Sequence, residues 1–99
     1  MPPEDEVLLE TDDVRVRILH LSVGGVTPEH YHTEVTDHIV CLEGQIEIRL
    51  QTPEEDAILN PGERIEIPPR RVHTVINLGA RSSKYLLVQG VGKYDFVRL

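Results

Sequence analysis

The sequence predicts an all-β fold, a barrel or sandwich of short antiparallel strands. Apolar residues recur with a period of two, as where Val14, Val16 and Ile18 alternate with other residues, and this period is typical of half-buried strands. Gly and Pro turn signals separate such segments, for example at residues 24–25 and 60–62. No window of ten or more residues shows a helical stripe. Many short strands between tight turns favour a closed β architecture.

The predicted strands follow one another along a single domain. Alternating segments cover residues 14–19, 46–51 and 65–67, and a domain boundary is not apparent anywhere in the 99 residues. Residues 1–6 are acidic and are predicted to form a flexible tail. Residues 7–99 are predicted to form one barrel domain.

Two further segments, residues 38–42 and 85–88, are apolar on both faces. A strand of a small antiparallel barrel should have one face in water. The chain is too short to supply another covering layer, so these segments predict a homodimer.

Charge and composition narrow the possible partners. The net charge is −7, and Arg70-Arg71 is the only adjacent basic pair, which disfavours binding to nucleic acid or to an anionic membrane surface. No segment approaches the ~20 apolar residues of a membrane helix. The acidic N-terminus lacks the apolar core of a signal peptide, which favours a cytoplasmic location.

The single cysteine, Cys41, excludes an internal disulfide. It lies in an apolar run, where a free cysteine is most often a small buried hydrophobe. The alternative is a nucleophile or a regulatory thiol, so Cys41 is kept as a candidate substrate contact.

A His-x-His pair, His30 and His32, is the first sign of a metal site. Residues two apart on a strand lie on one face, so two imidazoles can converge on one ion. On the later predicted strands, Asp37 shares a face with apolar residues, and so does His73. Faces that are polar at one end and apolar beyond are consistent with a metal pocket set in an apolar barrel.

The segment from Gly24 to Gly44 resembles the first motif of the cupin family. That motif is a glycine, five residues, His-x-His, three or four residues, an acid, six residues and a glycine. Here five residues separate Gly24 from His30, four separate His32 from Asp37, and six separate Asp37 from Gly44. The family usually has Glu at the acid position.

A second segment resembles the second cupin motif, with Gly62, Pro68, His73 and Asn77 at the family's spacing. Arg70 stands where the family usually has Gly. Two spaced motifs in the correct order make the resemblance specific across residues 24–77.

The resemblance implies a cupin-type double-stranded β-helix, a jelly-roll barrel, with one divalent transition metal inside. The implied ligands are His30, His32, Asp37 and His73. Asp is shorter than Glu, so Asp37 is expected either to bind the metal directly or to hold a water or a proton next to the ligands. His38, on the opposite face by alternation, is the substitute ligand. The ligand set suits Fe, Mn, Ni, Zn or Cu equally well.

The resemblance also implies a small-molecule function. The favoured hypothesis is an enzyme acting on an organic acid or a sugar derivative, with dioxygenase-type chemistry ahead of isomerase, decarboxylase or lyase chemistry. Arg70 is the candidate receptor for an anionic group of the substrate. No other catalytic acid or base stands out in the sequence. The alternative hypothesis is therefore a non-enzymatic module that captures a small ligand.

Overall fold

The computed structural model describes residues 5–99, and its secondary structure consists entirely of strands and turns. The strands are β1 (Glu6–Glu10), β2 (Val14–Leu21), β3 (His30–Tyr31), β4 (Thr36–Glu43), β5 (Ile46–Leu50), β6 (Glu55–Leu59), β7 (Arg64–Ile67), β8 (His73–Asn77), β9 (Ser83–Gly90) and β10 (Val97–Arg98). The all-β prediction is confirmed. The predicted tail of residues 1–6 lies partly outside the described residues, because residues 1–4 are not described and Glu6 already pairs with Ile18.

The strands form two five-stranded sheets that close into a jelly-roll barrel. The first sheet has the order β1-β2-β9-β4-β7 and the second the order β10-β3-β8-β5-β6. All named pairings are antiparallel. Most neighbours within a sheet are distant in sequence, so each sheet is assembled from both halves of the chain. Among the described residues, no helix is long and apolar enough to cross a membrane.

The hydrophobic core fills one end of the space between the sheets. Ile39 and Cys41 of β4 meet Ile46 and Ile48 of β5 there, and none of these four side chains is more than 1% exposed. Burying an Ile side chain stabilises a fold by about 1.5–3 kcal/mol. This packed end leaves the other end of the barrel for the polar residues of the site.

Alternation along β9 and β4 assigns their faces clearly. Tyr85, Leu87 and Gln89 point inward and are buried, whereas the residues between them are half-buried on the outer face. On β4, Asp37 and Ile39 likewise point inward. Because the side-chain period of a strand is two, Gln89 lies on the same inner face of β9 as Leu87, and Asp37 lies on the same inner face of β4 as Ile39.

The more apolar face of strand β2, which carries Val16 and Ile18, points away from the barrel interior. The inward residues of β2 include Arg17 and Leu19, which line the interior cavity, and Val16 and Ile18 therefore point outward. On the outer face, Val16 is opposite Val88 of β9 and Ile18 is opposite Leu86. An arginine is consequently placed inside the barrel.

Candidate metal centre

Four ligand-type side chains from three strands and one loop meet inside the barrel. His30 lies on β3, His73 opens β8 directly opposite it in register, and His32 follows β3. Asp37 lies near the start of β4 in the other sheet. All four side chains are at most 6% exposed. The four residues implied by the cupin resemblance are thus brought together from both sheets.

The four side chains are close enough to share one ion. One ligand atom of each residue lies within 4.8 Å of the corresponding atoms of the other three. Asp37 Oδ2 is 3.2 Å from His32 Nε2 and 3.1 Å from His73 Nε2. The His30 and His73 ring centroids are 4.4 Å apart. Three imidazoles and one carboxylate are a donor set suited to a divalent transition metal.

Each imidazole is oriented by a hydrogen bond from its other nitrogen. The Nδ1 atoms contact backbone carbonyl oxygens, namely Pro28 O for His30 (2.6 Å), Asp95 O for His32 (2.5 Å) and Arg71 O for His73 (2.8 Å). A carbonyl can only accept, so the proton is assigned to Nδ1 in all three rings. In the neutral ring this leaves the Nε2 lone pair facing the cluster, which is the usual arrangement of metal-binding histidines. When His32 or His73 carries a second proton, the same Nε2 atom instead donates to Asp37.

The electrostatics of the cluster favour a cation. Burial lowers the pKa of His30 to about 4, and the neighbouring histidines contribute in the same direction. Burial opposes the charged form of Asp37, but the hydrogen bonds to His32 and His73 outweigh it and hold the pKa of Asp37 well below its usual value. Burial also opposes the charged form of His32, yet its hydrogen bond to Asp37 raises the pKa of His32 overall. At neutral pH the site therefore holds a carboxylate and a neutral His30.

The C-terminal segment, residues 94–98, covers one side of the cluster. Asp95 accepts hydrogen bonds from Thr33 N (2.8 Å) and Thr33 Oγ1 (2.7 Å). The Phe96 ring stacks on His30 with centroids 4.3 Å apart and an interplanar angle of 16°. β10 pairs with β3, the strand that carries His30. This segment therefore fixes the His-x-His pair from the side opposite Asp37's sheet.

The cluster forms part of the wall of a cavity of about 170 Å³ that opens to solvent. Apolar side chains, among them Leu19, Ile39 and Val75, line the same space. Tyr85 and Phe96 add aromatic surface. A mostly apolar cavity with a few convergent polar groups is typical of a small-molecule site.

A hydrogen-bonded chain runs from the cluster across the first sheet. Gln89 Nε2 donates to Asp37 Oδ1 (3.1 Å), and Arg17 Nη2 donates to Gln89 Oε1 (3.0 Å). The amide nitrogen thus faces the carboxylate and the amide oxygen faces the guanidinium. Gln89 is only 1% exposed, so this orientation is fixed by its two charged neighbours.

The other candidate residues lie away from the cluster. Arg70 is exposed and lines a separate hollow beside Pro69 and Val72. Cys41 is fully buried in the core, and burial raises the pKa of its thiol. His38 points outward, with its side chain 48% exposed and its Nε2 4.0 Å from Glu66 Oε1. The structure brings together the four implied ligands and not these three residues.

The cavity also contains polar residues that were not singled out from the sequence, among them Arg17, Tyr85 and Gln89. A signal for Gln89 exists, since it ends an alternating face begun by Tyr85, as Asp37 begins that of β4. The sequence carries no such signal for Arg17. The other face of β2, with Val16 and Ile18, is the more apolar one and would be expected to point inward.

Comparison with solved structures supports the fold. A conserved protein with a double-stranded β-helix domain from Klebsiella pneumoniae has a TM-score of 0.83 and 25% identity, with 98% of this chain and 83% of that chain covered. KdgF from Halomonas sp. has a TM-score of 0.79 and 19% identity, with 90% and 78% covered. Oxalate oxidase in complex with the substrate analogue glycolate has a TM-score of 0.83 and 16% identity, with 97% of this chain but only 54% of that chain covered.

Comparison of sequences identifies the family. No curated protein sequence matches this chain. The family model described as the Cupin domain matches residues 17–89, which include both motifs and all four residues of the cluster. The chain belongs to the cupin family.

Proposed function

We propose that this protein is a metal-dependent enzyme that acts on a small organic acid or a sugar derivative. The observation that carries the proposal is the convergence of four ligand-type atoms within 4.8 Å of one another on the wall of a cavity open to solvent. A buried group of imidazoles and a carboxylate is costly unless its members are paired or bind an ion. The position at the cavity wall leaves room for a small molecule beside the ion.

His30, His32, Asp37 and His73 would hold the metal, and Fe, Mn, Ni, Zn and Cu all suit these ligands. The donor chemistry fits, because the three Nε2 lone pairs and an ionised carboxylate face one point. A metal at this point would supply Lewis acidity or a redox centre for O₂.

The residues around the cluster would bind and orient the ligand. Leu19, Ile39 and Val75 exclude water from the inner wall. Burial raises the pKa of the Tyr85 phenol far above neutrality, so its hydroxyl remains a hydrogen-bond donor. Gln89 holds Asp37 in place through its amide nitrogen.

Oxygenase-type chemistry on an organic acid is the reaction class we favour. An oxalate oxidase bound to glycolate shares the fold, and the present cavity has space for a ligand of comparable size. Isomerase, decarboxylase and lyase reactions remain alternatives within the same proposal, because a fold hosts many chemistries.

A non-enzymatic ligand-binding module is the second candidate. Apart from the four cluster residues, the described cavity wall offers Asp5 as its one further carboxylate and no further histidine. Asp5 Oδ1 is engaged by the backbone N–H of His20 at 3.1 Å. This scarcity of free acids and bases favours binding without turnover over reactions that need a separate proton donor.

We further propose that two copies associate through the outer face of the first sheet. Val16, Ile18, Val40, Leu86 and Val88 form an outer apolar patch there, defined by strand alternation. These side chains are half-buried within one chain, and a second copy could cover the rest. The rim carries charges of both signs on β7, which a two-fold arrangement can pair.

Metal analysis of protein purified without chelators tests the metal site. His32→Ala is expected to lose most of the bound metal, because it removes one ligand and a partner of Asp37. His38→Ala is the matched control and should keep the metal, since its side chain points outward. If His38→Ala loses the metal and His32→Ala keeps it, the assigned site is wrong.

Activity is tested on the metal-loaded protein with a panel of small organic acids and sugar acids. O₂ consumption that depends on both substrate and metal supports the oxygenase. Product formation without O₂ uptake supports one of the other reaction classes. Ligand binding without turnover across the panel supports the binding module.

A further inference from the structure

One buried donor of the cavity wall is not explained by the metal site. Arg17 Nε is inaccessible to solvent and has no hydrogen-bond partner among residues 5–99. Its Nη2 is satisfied by Gln89 Oε1 at 3.0 Å. A buried polar group without a partner costs free energy. The guanidinium therefore has one edge engaged by the protein and an N–H donor that lacks an acceptor.

A second donor lies on the adjacent strand. In the β2–β9 register, Arg17 is opposite Leu87 and Leu19 is opposite Tyr85, so Arg17 and Tyr85 are diagonal neighbours on the inner face. Long side chains at diagonal positions can reach one another. The Tyr85 hydroxyl makes no side-chain hydrogen bond within the described part of the chain, although the residue is only 3% exposed. Both donors line the same cavity.

Arg17 supplies the positive charge of this part of the cavity wall, which also carries the carboxylates of Asp5 and Asp37. Arg17 is the one basic residue among the described residues that line the cavity. The carboxylate of Asp37 is occupied by His32, His73 and Gln89. The other acid of the wall, Asp5, is engaged by backbone and has its side chain 53% exposed. The charge of Arg17 therefore has no carboxylate partner of its own inside the barrel.

Arg17 lies close to the candidate metal cluster. Only the Gln89 amide separates Arg17 from Asp37, through contacts of 3.0 and 3.1 Å. A ligand anchored by Arg17 would therefore extend toward the cluster. The cavity of about 170 Å³ is open to solvent, so a short-chain acid can lie with one end at Arg17 and the other toward the cluster.

We propose that Arg17 and Tyr85 form an anion subsite that binds a carboxylate of a small bifunctional organic acid, whose second oxygen group reaches the metal centre. This inference rests on the proposed function and narrows its substrate class to acids over neutral sugars. The planar guanidinium matches a carboxylate through two parallel N–H bonds. Tyr85 donates a third bond to the same group.

A purely structural role for Arg17 accounts for its Nη2 but not for its unpartnered Nε. Orientation of Gln89 accounts for Nη2 of Arg17. The Tyr94 ring stacks against Arg15, whose Cζ is 3.9 Å from the ring centroid, and it lies farther from Arg17, at 5.9 Å. Neither contact satisfies Arg17 Nε. Nε is closed to solvent in this conformation, so an acceptor from a ligand satisfies it when the guanidinium turns toward the cavity.

The test is isothermal titration calorimetry with oxalate, malonate and succinate, on protein with its metal and after chelator treatment. Arg17→Met keeps the apolar stem and removes the charge, and it should weaken the binding of the best dicarboxylate about ten- to a hundredfold, as expected for lost charge-assisted hydrogen bonds. Arg17→Lys keeps the charge but not the planar pair of N–H donors, so its dicarboxylate affinity should lie between that of the wild type and that of Arg17→Met. Tyr85→Phe should bind the same dicarboxylate about three- to tenfold more weakly, because one hydrogen bond is lost. The three variants are compared with the wild type in the chelator-treated state, so that a change in metal loading through Gln89 and Asp37 does not enter the comparison.

Two controls separate this subsite from other effects. Arg70→Met removes an exposed arginine outside the cavity and should bind the dicarboxylates like the wild type. Malonamide, the neutral analogue of malonate, should bind weakly, and its binding should not depend on Arg17.

The outcomes distinguish this proposal from the proposed function. Absence of metal from the wild type defeats the metal enzyme, while dicarboxylate binding that still depends on Arg17 in chelator-treated protein supports the subsite. Wild-type affinity in both Arg17 variants overturns the subsite. Failure of the wild-type protein to bind any of the three acids in either metal state overturns it as well.

Discussion

At the scale of single residues, the candidate metal cluster joins four side chains whose ligand atoms lie within 4.8 Å of one another. His30 and His32 are two positions apart, and Asp37 and His73 complete two motifs whose spacing can be counted along the chain. These four side chains lie together in the structure, and their role as metal ligands stays a prediction. Arg17 was not predictable in this way, because its role depends on which face of β2 points inward and on pairing with β9, some 70 residues later in the chain.

Arg70 shows how a departure from a family pattern is accommodated. The family's usual glycine suggests a turn with positive φ, and Arg70 itself adopts φ = 68°. Its backbone N–H donates to His32 O at 2.7 Å, so the turn also holds the loop of a candidate ligand. A non-glycine residue in the left-handed region costs of order 1 kcal/mol or more. The turn has therefore kept its shape despite the change of residue.

Arg70→Gly is predicted to stabilise the protein by up to about 1 kcal/mol, because relief of the left-handed conformation exceeds the added entropy of the unfolded chain. For a domain of this size that is a rise in Tm of a few degrees. Thermal unfolding followed by circular dichroism measures it. Arg70→Ala, which removes the same charge and keeps a Cβ, should show no rise, and an equal rise in both variants would attribute the effect to charge instead.

At the scale of strands, the prediction depended on whether a segment alternates apolar and polar residues. Alternation predicted the central strands β2 and β5 and also β7, which is an edge strand. The edge strand β1 was missed, since Val7, Leu8 and Leu9 are apolar in succession and each is more than half exposed. An edge strand is held by pairing on one side only, and pairing with a distant strand leaves no local pattern in the sequence.

The C-terminal segment, residues 94–98, is a further element whose role depends on tertiary contacts. It supplies the carbonyl of Asp95 to His32 Nδ1 and the ring of Phe96 to His30. The Asp95 carboxylate fixes this segment by two hydrogen bonds to Thr33. These bonds hold the pKa of Asp95 below its usual value. The segment therefore orients two of the candidate ligands, His30 and His32.

Asp95→Ala is predicted to weaken metal binding about tenfold, in line with the effect of losing groups that orient metal ligands. The loss arises because the segment is no longer anchored to Thr33 and the hydrogen bond to His32 loosens. Competition with a chelating dye measures the affinity. Asp12→Ala, at an exposed turn far along the chain, should bind like the wild type, and unchanged affinity in Asp95→Ala would show that the segment is held by other contacts.

At the scale of the whole molecule, the candidate metal cluster brings together side chains of both sheets at the end of the barrel opposite the core. Asp37 belongs to the first sheet, and His30 and His73 belong to the second. A domain of about 100 residues buries a smaller share of its surface than a larger one and is correspondingly marginal. A bridging metal and a second subunit are two independent ways to add stability. The outer apolar patch concerns the second of these.

Ile18→Glu is predicted to convert a dimer into a monomer. Ile18 lies near the middle of the outer apolar patch, opposite Leu86 in register, and a charge buried at that position of an interface would lack a partner. Light scattering coupled to size exclusion should give twice the 11.2 kDa chain mass for the wild type and a single chain mass for Ile18→Glu at micromolar concentration. Val23→Glu introduces the same charge at a turn residue that is 63% exposed and should remain dimeric. A monomeric wild type would show that the half-buried outer face is stable in water, and a dimeric Ile18→Glu would place the interface on another surface, with the exposed edge strand β1 as the next region to mutate.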